Sequence, residues 1–98
     1  MSGTSPSAVA PAAVPAQFQS FLAFDFGLKR TGVAVGSRLL GQANPLPTIR
    51  TDAKEARLQQ AGERIREWQP HALVAGGARD ADAASACIIL EQFLRSLA

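Results

Sequence analysis

FLAFDFGLKRTGVAVG, residues Phe21 to Gly36, sets one carboxylate at the end of an apolar run and follows it with a basic turn bracketed by glycines. Phe21, Leu22, Ala23 and Phe24 are apolar without alternation, which reads as a strand buried on both faces. Asp25 interrupts that run. An unpaired carboxylate inside a core costs several kcal/mol, so Asp25 is expected where the strand emerges at a sheet edge or cleft. Gly27 and Gly32 flank Leu28-Lys29-Arg30-Thr31, and Gly32 to Gly36 reads as a second strand returning antiparallel to the first.

Outward from this hairpin the signals alternate. Ser37-Arg38 reads as a turn, and Leu39 to Ile49 as a third strand that Pro45 and Pro47 confine to a sheet edge. Asp52 offers an N-cap, with Glu55 as its capping-box partner. Leu58, Ala61, Ile65 and Trp68 then recur at helical spacing as one apolar stripe that places Trp68 in the core, while Arg57, Glu63, Arg64 and Glu67 lie off it. Pro70 ends that helix. His71 to Ala75 is a compact apolar strand closed by Gly76-Gly77, with His71 a surface residue at its entrance. Asp82 to Leu97 is a final helix whose Ala83 to Leu90 portion is apolar all round, so little of it should be exposed.

The chain has 98 residues, which suit one small domain. Residues 1–17 (MSGTSPSAVAPAAVPAQ) are rich in Ala, Pro and Ser and are expected to be a disordered tail, leaving 18–98 as the folded domain. That is roughly 80 residues, near the size at which one hydrophobic core becomes marginal. No segment has the length and apolarity of a membrane span, and the start of the chain lacks the pattern of a signal peptide. The single cysteine, Cys87, forms no internal disulfide and reads as a buried thiol in a reducing cytoplasm. Net charge is +2, but Lys29, Arg30, Arg38 and Arg50 all fall in or near strand connections. Such residues suit a phosphate backbone, and equally suit an ordinary solvated turn.

Three blocks, FLAFDFGLKRTGVAVGSRLLGQANPLPTIRT, IREWQPHALVAG and DAASACIILEQFL, resemble in order the YqgF (RuvX) family of Holliday junction resolvase-like proteins and pre-16S ribosomal RNA nucleases. The resemblance implies a ribonuclease H-like α/β fold, and the element order of hairpin, edge strand, helix, strand and helix fits that architecture with its later half abridged. It also implies a Mg²⁺ (or Mn²⁺)-dependent nuclease of ribosome biogenesis, acting on pre-rRNA or branched DNA in the cytoplasm. Asp25 matches the family's first-strand catalytic aspartate, and Asp82 the aspartate that opens its last helix. Asp80 stands two residues earlier as a further metal ligand, and Lys29, Arg30 and Thr31 would contact nucleic acid. Family members continue from the strand at Ala72-Leu73-Val74 into a Gly-Leu-Pro loop, another helix and a strand whose Asp-Glu-Arg motif supplies a catalytic glutamate. Here Gly76-Gly77-Ala78-Arg79 runs almost directly into the last helix, so a few dozen residues have no counterpart.

The residues leave other readings open. An aspartate at a helix start is ordinarily a cap, which covers Asp80 and Asp82. Asp25 before a glycine turn has the plainer role of a turn former. A shortened relative that keeps only nucleic-acid or protein binding is the alternative to a nuclease, and a homodimer in which a partner supplies a third carboxylate is another way to complete the site. An ATPase or sugar-kinase fragment needs a second Asp-x-Gly loop and an adenosine-binding glycine motif, and the chain has neither.

Overall fold

The computed structural model describes residues 14–77 and 81–97. The chain forms β1 (Ser20–Phe26), β2 (Thr31–Ser37), β3 (Ala43–Ile49), α1 (Lys54–Trp68), β4 (Ala72–Gly77) and α2 (Ala83–Ser96). The four strands make one mixed sheet in the order β3-β2-β1-β4, with β1 antiparallel to β2 and parallel to β4. This is the α/β architecture expected from the hairpin start: β3 carries Pro45 and Pro47 at one edge, and α1 makes the crossover that a parallel β4 requires.

Alternation along β1 divides the core in two. Phe21 and Ala23 pack with Ala34, Ala86, Leu90 and Leu94 on the α2 face. Leu22 and Phe24 pack with Val33, Ile49 and Ala61 on the α1 face, where Ile65 joins them. Burying each large apolar side chain is worth about 1.5–3 kcal/mol, so these two layers hold the sheet between its helices. Phe21 also meets Phe93 edge to face, with ring centroids 5.3 Å apart.

Several local expectations are corrected. Asp52 does not cap α1: the cap position is Ala53 with no side-chain bond, and Thr51 Oγ1 accepts from Ala53 N at 3.2 Å instead. Only part of the α1 stripe is buried. Ala61 is inside, but Leu58 is 56% and Trp68 42% exposed, because no described element covers the outer half of that face. Ile88 is likewise 57% exposed, since α2 turns a single face to the sheet. Val14 packs against the α2-side core and Pro15 O accepts from Phe18 N. His71 is exposed but not idle: its Nδ1 accepts from Gln19 N at 2.8 Å and Ser20 N at 3.1 Å, tying the start of β4 to that of β1.

Candidate active site

Asp25 sits on the α2 face near the C-terminal end of β1, directly between Gly32 of β2 and Gly76 of β4. Neither neighbour has a side chain, and both gaps are filled from α2. A Cβ at Gly32 would collide with the backbone carbonyl of Asp82, and one at Gly76 would lie 2.6 Å from Ile89 Cδ1. Gly27 does the same one step along, where a Cβ would stand 2.8 Å from that of Ala81. The glycines that read as turn formers in the sequence are therefore landing sites for the start of α2. Through them a residue more than fifty positions away is brought to Asp25.

The result is a pair of acids in unlike surroundings. Asp25 is fully buried, and neither carboxylate oxygen has a hydrogen-bond partner among the described residues. Burial first, and the charge of Asp82 second, push its pKa above the ordinary aspartate value. Asp82 caps α2, its Oδ1 accepting from Ser85 N at 2.8 Å and from Ser85 Oγ at 3.0 Å. Those two bonds, helped by the charge of Arg30, outweigh partial burial and hold its pKa below the ordinary value. One acid is thus pressed toward its neutral form while the other is kept ionised, an arrangement common where carboxylates do chemistry.

The remaining expected residues are dispersed around this pair. Arg30 lies at its rim, with Nε donating to Ala81 O at 2.7 Å. Lys29 is exposed at the apex of the β1–β2 turn, and Arg50 is exposed just beyond Ile49, which pairs with Thr31. Thr31 itself is completely buried and offers no surface to a nucleic acid. The cause is register: Thr31 pairs with Phe26 and shares the α1 face, opposite to Asp25. Arg38 is at the far end of the hairpin, bonded to Pro15 O, and takes no part. Asp80 lies outside the described residues. Among the described residues no group of three His, Cys, Asp or Glu side chains could hold a metal ion.

Arg57 escaped the reading of the sequence, in which it was only a polar residue off the helix stripe. Its Nη1 donates to Gly27 O at 2.8 Å, its Nη2 to Leu28 O at 3.1 Å and its Nε to Thr51 O at 3.3 Å. One signal was available, because an arginine near the start of a helix opposes the helix dipole and suggests another duty.

Residues 19–81 match a family model described as RuvX, Holliday junction resolvase. A protein of Polaromonas sp. (strain JS666) named "Putative pre-16S rRNA nuclease" is 44% identical over 135 residues, covering 88% of this chain and 97% of the relative. A protein of the same name from Albidiferax ferrireducens is 40% identical over 133 residues, covering 89% of this chain and 85% of the relative. Another from Methylobacillus flagellatus is 53% identical over 55 residues, or 56% of this chain and 38% of its own length. The first two alignments are longer than the 98 residues of this chain, so several dozen positions in them face a gap here. No described helix is long and apolar enough to cross a membrane.

Proposed function

Since this chain belongs to the RuvX family of Holliday junction resolvases, we propose that it is a metal-dependent nuclease that trims the 5′ end of pre-16S ribosomal RNA in the cytoplasm, with Asp25 and Asp82 as its catalytic carboxylates. The RNA substrate rests on the name, pre-16S rRNA nuclease, borne by the relatives that align with most of the chain. The observation that carries the site is Asp25, a buried carboxylate whose two oxygens have no partner among the described residues, beside a second acid. Such a group destabilises the fold unless a cation or a proton joins it.

The donor set fits one Mg²⁺ ion. That ion keeps several of its waters and is often anchored by one or two carboxylates plus substrate phosphate oxygens, so Asp25 and Asp82 would suffice to hold it. When bound, it offsets phosphate charge and lowers the pKa of the attacking water. The chain's own residues do the rest. Asp82 stays ionised at the N-terminus of α2, where Ser85 fixes its Oδ1. Asp25 would release its proton to solvent in the presence of a cation, whose charge would offset first the burial and second the repulsion from Asp82 that raise its pKa. Arg30, fixed through Nε to Ala81 O, adds positive charge at the rim, and Lys29 at the turn apex meets the phosphate backbone.

The test is cleavage of an RNA carrying the 5′ precursor extension of 16S rRNA, with Mg²⁺ or Mn²⁺, by the full chain and by Asp25→Asn. Cleavage by the wild type alone, with RNA binding kept in the variant, supports the reading. Binding without cleavage by the wild type under either metal overturns it in favour of a relative that only binds.

A further inference from the structure

We infer that Arg57 is a positioning residue for nucleic-acid binding: it fixes the β1–β2 turn so that Lys29 and Arg30 stand beside Asp25. This rests on the nuclease reading and adds to it a residue from the opposite face of the sheet. Arg57 belongs to α1, whereas Asp25 faces α2, so the two groups do not share a side of the sheet.

The guanidinium engages two connections at once. Two of its nitrogens donate to the successive carbonyls of Gly27 and Leu28, and Nε donates to Thr51 O in the connection between β3 and α1. A planar fork suits adjacent acceptors held at fixed spacing, which the single ammonium of a lysine would not match. Gly27 N in turn donates to Arg30 O at 2.9 Å, closing the turn that Arg57 grips. The same turn is bounded on its other side by Ala81, which a Cβ at Gly27 would strike and whose carbonyl accepts from Arg30 Nε. Gly27 to Arg30 is thus held from α1 through Arg57 and from the start of α2 through Ala81.

The location of Arg57 supports a role beyond helix stability. It is the fourth residue of α1, where a cation is disfavoured by the helix dipole, and its positive charge adds to those of Lys29 and Arg30 in the turn. The carbonyl bonds hold the turn rigid, so less ordering remains to be done when a phosphate binds.

The experiment measures binding of a fluorescein-labelled stem–loop RNA with a single-stranded 5′ extension, in Ca²⁺ to suppress turnover, over a range of salt. Arg57→Met is expected to weaken binding about tenfold and to lower the salt slope by about 1, as removal of one phosphate contact would. Lys29→Ala should show a similar loss, and the two losses should be less than additive in the double variant, because Arg57 acts in part through Lys29. Amide exchange should accelerate from Leu28 to Thr31 with β1 and β4 unchanged. Arg57→Lys should recover part of the affinity, and it carries the test should the methionine variant fail to fold. Wild-type affinity and slope in Arg57→Met, or additive losses in the double variant, would overturn the positioning role alone. A wild-type chain without affinity for RNA would overturn the nuclease reading and this inference together.

Discussion

The backbone of Asp82 occupies the space that a side chain on Gly32 would need. Gly32 is also the ladder partner of Asp25. One missing Cβ therefore sets the separation between the two acids of the candidate site, and it does so through packing of backbone against backbone.

Gly32→Ala should accordingly lift the start of α2 from the sheet. Overpacking of this kind costs about 1–3 kcal/mol. The pKa of Asp25 should fall toward the ordinary value, since the charge of Asp82 recedes and water gains access. Titration of the Asp25 carboxyl ¹³C shift would show this, and a pKa that stays raised in a folded variant contradicts the packing account. Nuclease activity should be lost with the shift.

Asp25→Asn should raise thermal stability at neutral pH while abolishing cleavage, because it removes a buried charge set against another. The pH dependence has a definite sign. The folded-state pKa of Asp25 is raised, so its protonated form favours folding at low pH. That contribution fades as pH climbs from the ordinary aspartate value through the raised one. Asp82 behaves oppositely: its pKa is lowered, so its contribution is present above the ordinary value and lost as pH falls toward the lowered one. Melting curves across acid to neutral pH should show the advantage of Asp25→Asn growing as pH rises. A constant difference between variant and wild type would count against this assignment.

Much of this was legible in the sequence, for identifiable reasons. β1 declared itself because a strand buried on both faces needs no alternation, and Asp25 stood out as the polar residue in such a run, but its expected place at a sheet edge or cleft is corrected to full burial on an interior strand. The hairpin partner followed from the two glycines. Their main duty did not, since the group filling the space at Gly32 is Asp82 and no local pattern reports a contact across that separation. A one-residue offset places Thr31 on the opposite face from Asp25, which the order of residues in the turn did not reveal. Trp68 lies on a helical-spacing stripe and Ile88 in a segment apolar all round, yet both stay exposed, because an apolar face does not guarantee a neighbour to cover it.

The two sheet edges are protected unequally. β3 carries Pro45 and Pro47, whereas β4 (Ala72–Gly77) has neither a charge nor a proline, and Leu73 is 52% exposed on it. An apolar, unguarded edge invites pairing between chains. Leu73→Lys should leave stability within about 0.5 kcal/mol, as surface substitutions generally do. It should also reduce self-association at high concentration, read by sedimentation velocity. If the wild type is strictly monomeric over that range, the edge is not adhesive and the prediction fails.

A cation that binds the folded chain between Asp25 and Asp82 must stabilise it by mass action, whether or not cleavage follows. At free Mg²⁺ about 100 times the dissociation constant the gain is about 2.7 kcal/mol. The midpoint of thermal unfolding should therefore rise with Mg²⁺ in the wild type and stay flat in Asp25→Asn. Lowering the pH toward the ordinary aspartate value should weaken the effect, since a proton on Asp25 competes with the ion. Equal shifts in wild type and variant would mean that Mg²⁺ acts elsewhere on the chain, and the two buried oxygens of Asp25 would then need a different explanation.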